Sequence, residues 1–281
     1  MPEPFFREAG TGPGVVSLHA NASTSGQWRG LMELLAPNFR VLAPDSYDSG
    51  KSPQWPSDRV IQLRDEVELI EPVLTRAGSP LALVGHSYGA AVALIAALAN
   101  PGRVRAMALY EPTLFALLDA ETPAPNEAEG IRNAVADAGV ALDEGNQDAA
   151  AERFIDSWMG TGTWNLTSEQ RKRPIAASVT NVRRWAYALF TEPTPLEAFK
   201  LGQEPGDSTW SAIHLGPGGS LPQPGVPSCG RFLPPPRALR WRSCGAEGGA
   251  SISRARAVPD ALRADAIRFA CFERPGQSCN L

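Results

Sequence analysis

Long apolar stretches and a strong charge of either sign are both missing from this sequence of 281 residues. No run approaches the ~20 apolar residues that a membrane-spanning helix needs. The N-terminal segment MPEPFFREAG lacks the basic start and apolar core of a secretory signal. The net charge of −4 gives no electrostatic reason for binding to nucleic acid or to an acidic membrane. We therefore expect a cytoplasmic protein that binds neither of them.

Cysteine is scarce and confined to one end of the chain. The four cysteines, Cys229, Cys244, Cys271 and Cys279, all lie in the last fifth of the sequence, and no two of them form a C-x-x-C pair. Zinc sites and disulfide frameworks usually have tighter spacing than this. We therefore expect neither a metal site nor a disulfide framework.

Histidine is also rare, and its scarcity limits the acid–base chemistry that is possible. The sequence contains three histidines, His19, His86 and His214. Histidine is the side chain whose unperturbed pKa lies closest to neutral pH, so it is the usual proton acceptor in catalysis. Any reaction that needs such a base must draw it from these three positions.

Four short apolar segments have the length and composition of buried strands. Segments with helical spacing lie between them, as in residues 58–77 and the alanine-rich residues 88–100. Strands that are apolar throughout and alternate with helices predict an α/β fold with a doubly wound, mostly parallel sheet. The four predicted strands are residues 14–19, 39–45, 81–87 and 104–112.

The pattern divides the chain into three parts. Residues 1–111 predict the first part of an α/β core. Residues 112–200 have helical periodicity only and are rich in aromatic residues, as a helical cap over a pocket would be. Those aromatic residues either pack the helices together or line the pocket. Residues 201–281 are expected to complete the core, but their composition is atypical for a folded domain.

A change of composition after Lys200 leads to a separate hypothesis. No lysine follows that position, whereas arginine, proline, glycine, serine and cysteine become frequent. An out-of-frame translation of a GC-rich gene would produce such a change. On this hypothesis the final strands and a further histidine are encoded in another reading frame.

The segment LVGHSYGAA contains the pentapeptide Gly85-His86-Ser87-Tyr88-Gly89, a G-x-S-x-G motif between a predicted strand and a predicted helix. In that context the serine lies on a sharp turn, where side chains at the flanking glycines would collide with the backbone. The turn exposes the serine hydroxyl at the positive end of a helix dipole. The motif therefore predicts that Ser87 is a nucleophile.

Four segments in order, LHANASTSGQW, VLAPDSYDSGKSP, LALVGHSYGAA and VRAMALYEP, resemble the α/β-hydrolase superfamily. The resemblance covers residues 1 to about 200 and is closest to small soluble esterases, lactonases and carbon–carbon bond hydrolases. It implies a serine nucleophile, a helical cap, a small-molecule substrate and no metal or organic cofactor. Two positions depart from the pattern, because Ala20 and Asp48 stand where the family usually has glycine.

Acyl transfer at a serine requires N–H donors for the oxyanion that develops on the substrate. The backbone N–H of Tyr88, directly after the nucleophile, is one expected donor. Related proteins carry His-Gly-x where this chain has His19-Ala20-Asn21, so the resemblance implies the N–H of Asn21 as the second donor.

The resemblance also implies the order serine, acid, histidine along the chain. Glu111, after the strand that follows the nucleophile helix, is either the acid or a buttress of the cap or elbow, and Asp207 is a weaker candidate acid. His19 should organise the oxyanion loop, and the His86 side chain should point away from the catalytic face. His214 therefore remains as the candidate base, although it precedes the place where the family has its histidine.

These features predict a serine hydrolase that cleaves a small ester, lactone or activated ketone through an acyl-enzyme on Ser87. Perhydrolysis would use the same residues. The alternative is a catalytically impaired or non-catalytic protein that uses the same scaffold to bind a small hydrophobic ligand, because fold alone does not determine function. The sequence does not predict an oligomeric state.

Overall fold

The computed structural model describes residues 2–199. Within them lies a sheet of five strands in the order β1-β3-β2-β4-β5, with β1 antiparallel and the other pairs parallel. The strands are β1 Phe6–Ala9, β2 Gly14–Leu18, β3 Arg40–Pro44, β4 Leu81–His86 and β5 Val104–Tyr110. The mostly parallel α/β sheet predicted from the sequence is thus confirmed. The edge strand β1 was not predicted, because none of its four residues is buried and they carry no apolar run.

Nine α-helices accompany the sheet in the described part of the chain. Those that alternate with the strands are α1 Arg29–Leu35, α2 Leu63–Ala77 and α3 Tyr88–Ala99. Those that follow β5 are α4 Phe115–Glu121, α5 Glu129–Asp143, α6 Gln147–Met159, α7 Thr163–Leu166, α8 Glu169–Val179 and α9 Val182–Phe190. Short 3₁₀ helices occupy Ser25–Trp28 and Leu196–Phe199. Across residues 2–199 no helix is long and apolar enough to cross a membrane.

Helices cover both faces of the sheet, as the alternation of side chains along each strand requires. Val15 and Val41 pack with Met32 and Leu35 of α1 in the smaller apolar cluster. Their neighbours in sequence join the larger cluster with α2 and α3 on the opposite face. The inner strands β2, β3 and β4 are therefore buried on both sides, which explains why their sequences are apolar without alternation.

Helix α2 begins later than the sequence predicted. The prediction covered residues 58–77, but the helix starts at Leu63, and Val60 is an exposed residue before it. The reason is a capping box, in which Gln62 and Asp65 exchange side-chain and backbone hydrogen bonds. Arg59 reinforces this start with two hydrogen bonds to the Asp65 carboxylate, at 2.8 and 2.5 Å.

Helix α3 packs against the sheet at backbone contact distance. A Cβ atom at Gly89 would lie 2.3 Å from the carbonyl oxygen of Leu18 and 2.6 Å from that of His19. At Gly85 it would lie 2.5 Å from the Cα of Ala90. Both glycines of the pentapeptide are therefore required by close approach of the backbone. The alanines on the buried face of α3 serve the same packing.

We expect Gly89→Ala to lower the free energy of unfolding by about 3 kcal/mol, because the methyl group overlaps two backbone oxygens that the sheet holds in place. Gly30→Ala is the matched control, since nothing lies within 4 Å of a Cβ at that helical position. It should raise the free energy of unfolding by up to about 1 kcal/mol. Urea denaturation of both variants measures these changes, and equal stability of the two would contradict the packing argument.

Candidate active site

Ser87 lies in the turn between β4 and α3 with φ 53° and ψ −116°. A positive φ is uncommon for a residue with a side chain, and such strain persists only where the surroundings enforce it. Here the Ser87 N–H donates to the carbonyl oxygen of Tyr110 in β5 at 2.9 Å, and the Ser87 carbonyl accepts the N–H of Ala90 at 2.9 Å. Strand β5 and helix α3 together hold the strained backbone of Ser87.

His19 is buried and fixed as a neutral imidazole between two backbone groups. Its Nδ1 lies 2.7 Å from the carbonyl oxygen of Ala20, and its Nε2 accepts the N–H of Ser46 at 3.0 Å. Since Nδ1 must donate and Nε2 must accept, the proton is on Nδ1. Burial holds the pKa of His19 below its ordinary value, which keeps the ring neutral. The ring joins the loop after β2 to the loop after β3.

His86 is engaged at both ring nitrogens. The side-chain amide nitrogen of Gln27 lies 2.7 Å from His86 Nδ1, and Glu111 Oε2 lies 3.6 Å from His86 Nε2. An amide nitrogen can only donate, so the lone pair of His86 is on Nδ1 and accepts the Gln27 proton. The ring also packs on Tyr110 with a centroid distance of 4.7 Å. The imidazole is therefore held beside the elbow by groups other than Ser87.

The peptide between Ala20 and Asn21 has a defined orientation. The Ala20 N–H donates to Gln27 Oε1 at 3.0 Å, and the Ala20 carbonyl oxygen faces His19. In a trans peptide the N–H points opposite to the carbonyl, so the Asn21 N–H points away from His19. That N–H has no acceptor within residues 2–199. Ala20, where related proteins have glycine, is buried and has no positive φ.

Tyr88 is the first residue of α3. The N–H groups in the first turn of a helix have no acceptor inside the helix and carry its positive dipole end. The structure thus brings the Tyr88 N–H next to Ser87. The expected roles of Asn21 and Tyr88 as oxyanion donors remain predictions.

Glu111 follows β5 and has φ 46°, another positive value for a residue with a side chain. Its carboxylate is one-quarter exposed and faces His86. This contact fits the buttress role, whereas the role as the acid of a triad requires a second histidine. The other two residues considered for the triad, His214 and Asp207, lie outside the described residues, as do the four cysteines.

The comparisons with known proteins agree with the observed fold. The family model of the alpha/beta hydrolase fold matches residues 13–186. The chain belongs to the alpha/beta hydrolase fold family. An alpha/beta hydrolase from Sphaerobacter thermophilus shares this fold, with a TM-score of 0.56 and 22% sequence identity, and the match covers 75% of this chain and 76% of that one. The epoxide hydrolase CorEH also shares it, with a TM-score of 0.53 and 18% identity, and the match covers 74% of this chain and 76% of that one.

Curated relatives match over only part of their length. The probable lysophospholipase BODYGUARD 1 of Arabidopsis thaliana is 34% identical over 37% of this chain and 23% of its own length. A haloalkane dehalogenase of Agrobacterium fabrum is 34% identical over 38% and 35%. Lipase LipV of Mycobacterium tuberculosis is 33% identical over 36% and 37%. The chain thus spans about a quarter to a third of the length of these relatives.

A second network lies beneath the elbow of this alpha/beta hydrolase chain, and sequence reasoning missed it. The Tyr88 hydroxyl donates to Glu66 Oε1 at 3.2 Å, and the Tyr47 N–H donates to Glu66 Oε2 at 3.1 Å. Burial raises the pKa of Glu66 to about 8, against the opposing effect of these two hydrogen bonds. The helical pattern of α2 gave no signal, because a glutamate next to an apolar stripe usually faces solvent.

Helix α9 contacts the elbow and the loop after β3. The ring of Trp185 lies 6.5 Å from that of Tyr88, and Arg184 pairs with the Asp48 carboxylate at 3.5 Å. Asp48 has φ 56°, a conformation that glycine adopts without steric cost, in keeping with the glycine that the resemblance led us to expect there. Its carboxylate also accepts the N–H of Trp55 at 3.3 Å. Asp48 thus combines a strained backbone with a contact to α9 that glycine could not make.

We expect the folded protein to lose stability as pH rises, because the pKa of Glu66 is about 8 when folded and near 4.5 when unfolded. The stability conferred by a protonated Glu66 is complete below about pH 4.5 and is lost through pH 8. In Glu66→Gln this loss is absent. Wild type should therefore weaken relative to the variant by up to about 1.4 kcal/mol per pH unit in that window.

Urea denaturation of wild type and Glu66→Gln between pH 5 and 8.5 measures this difference. Glu68→Gln is the control, since Glu68 is exposed on the same helix. Parallel pH profiles for wild type and Glu66→Gln would show that Glu66 is already ionised in the folded protein at low pH.

Proposed function

We propose that this chain is a serine hydrolase that cleaves a small ester, lactone or activated ketone through an acyl-enzyme on Ser87. The observation that carries the proposal is the backbone of Ser87, whose φ of 53° is held between β5 and α3 at the start of a helix. Such strain is costly and is found mainly where it serves function. The Asn21 and Tyr88 N–H groups lie on the two segments that would bind the oxyanion.

The proposed hydrolase needs a general base for Ser87, and the candidate for this base lies outside residues 2–199. A general base needs a lone pair directed at the nucleophile. The lone pair of His19 accepts the Ser46 N–H, and that of His86 accepts the Gln27 amide proton. We therefore retain His214 as the candidate base, with the Glu111 carboxylate as the candidate acid that orients it.

A second candidate function is the binding of a small hydrophobic ligand without catalysis. The observation that favours it is the same engagement of both imidazoles in residues 2–199, which leaves Ser87 without a local proton acceptor. Covalent reactivity of Ser87 distinguishes the two functions, because a binding protein has no need of an activated hydroxyl.

We expect a fluorophosphonate probe to label the wild-type chain at one site and to leave Ser87→Ala unlabelled. Intact-mass spectrometry and peptide mapping measure the adduct. Ser57→Ala is the control, because Ser57 is exposed and far along the chain from the elbow. A wild type that resists the probe, with a cap that still binds hydrophobic ligands, would favour the binding protein.

We expect His214→Ala to slow the labelling rate about 10²-fold or more, since assistance by a general base contributes roughly 10²–10⁴-fold. His86→Ala is the comparison variant, and its labelling rate should retain the greater part of the general-base assistance. An unchanged rate in His214→Ala would remove this residue from the mechanism. Loss of reactivity in His86→Ala that Gln27→Met, which breaks the same Gln27–His86 hydrogen bond, does not share would make His86 the base and contradict the lone-pair argument.

The reading-frame hypothesis for residues 201–281 has its own test. Sequencing the coding DNA from about codon 190 and translating all three frames should reveal, in another frame, two strand-like segments and a glycine-histidine pair. Absence of that pattern would end the hypothesis and leave His214 as the candidate base.

A further inference from the structure

Gln27 joins two segments of the candidate site that are far apart in sequence. It lies in the 3₁₀ helix Ser25–Trp28, after the loop that carries Asn21. Its Oε1 accepts the Ala20 N–H at 3.0 Å, and its Nε2 donates to His86 Nδ1 at 2.7 Å. One planar amide thus spans the gap between the oxyanion loop and the elbow.

The backbone of Gln27 is itself anchored. The Thr24 hydroxyl accepts the N–H of Gly26 at 3.2 Å, capping the 3₁₀ helix. The carboxylate of Asp45 accepts the N–H of Ser25 at 2.6 Å and that of Lys51 at 2.9 Å. The short helix is therefore tied to the loop after β3, and this fixes the position of the backbone from which the Gln27 side chain extends.

We propose that Gln27 is a positioning residue of the oxyanion site, which sets the separation between the Asn21 N–H and the Tyr88 N–H. One end of its amide holds Ala20, directly before Asn21. The other end holds His86, two residues before Tyr88, on the rigid elbow. This role rests on the proposed function, although the two hydrogen bonds exist independently of it.

The chemistry of the link requires an amide. Ala20 offers a donor and His86 offers a lone pair, so the bridging group must accept at one end and donate at the other. A carboxylate accepts at both ends, and a thioether makes neither bond well. Gln27→Glu therefore keeps the bond to Ala20 and needs a proton on His86 Nδ1 for the second bond. Gln27→Met loses both hydrogen bonds, although the methionine side chain is nearly the same size as that of glutamine.

The experiment compares wild type, Gln27→Met, Gln27→Glu and Arg29→Met. Arg29 is an exposed residue next to the same 3₁₀ helix, and its side chain donates to the Gly26 carbonyl. Two quantities are measured on the full chain. One is the kcat and KM for p-nitrophenyl acetate between pH 5 and 8, and the other is the hydrogen-exchange rate of the Ala20 amide by NMR.

In Gln27→Met we expect kcat to fall about 10- to 100-fold with KM within about threefold, because misplaced donors weaken transition-state binding more than ground-state binding. The Ala20 amide should exchange faster. In Gln27→Glu that amide should stay protected, because the carboxylate still accepts the Ala20 N–H. Arg29→Met should match wild type in both measurements.

Two results would overturn the proposal. One is an Ala20 amide that exchanges equally fast in wild type and Gln27→Met, and the other is a Gln27→Met variant with the kcat of Arg29→Met. A wild type with no turnover and no labelling of Ser87 would count against the proposed hydrolase function. In that case the exchange rate of the Ala20 amide alone decides whether Gln27 holds the loop.

Discussion

The contact on which the site depends is the direct packing of α3 on the end of β2. Gly89 lets this helix approach the carbonyl oxygens of Leu18 and His19 to a distance that no Cβ would permit. The helix then starts immediately after Ser87, so the serine backbone must take a positive φ to make the turn. The strain at the nucleophile is therefore a consequence of helix-to-sheet packing. The large apolar cluster around α2 and α3 stabilises that packing and offsets the strain.

Around this rigid centre, polar side chains that are buried (Asp45 and Glu66) or half-buried (Gln27) fix the loops. Asp45 holds the segments at Ser25 and Lys51, Glu66 holds Tyr47 and Tyr88, and Gln27 holds Ala20 and His86. Each of these groups has partners from separate parts of the chain. A buried polar group is costly if one partner is lost, so such networks favour a single arrangement of the loops. Hydrogen bonds thus fix the conformation of the loops around Ser87, whereas apolar packing fixes the core.

The sequence allowed prediction of the parallel sheet and the position of Ser87, because apolar runs and the G-x-S-x-G motif are local signals. It did not reveal Gln27 or Glu66, whose partners lie 59 and 22 residues away. No local pattern marks a polar residue for a distant hydrogen bond. Val60 shows the opposite error, since it fits the apolar stripe of α2 but precedes the capping box. Asp48 was recognised as a departure, yet its contact with Arg184 of α9 depends on packing that sequence does not encode locally.

The two histidines of the described residues show why the presence of an imidazole in the site is a poor guide to catalytic role. An imidazole acts as a base through its one lone pair, and a backbone or amide N–H that occupies this lone pair removes the basic function without changing the residue. That occupation is observed at His19 through Ser46 and at His86 through Gln27. Both rings then act as bridges between loops. Glu111 faces one of these bridging rings, because its Oε2 lies 3.6 Å from His86 Nε2, and its side chain is one-quarter exposed. On the proposed function, Ser87 draws its base from beyond residue 199, and Glu111 at the end of β5 is the candidate acid that orients this base.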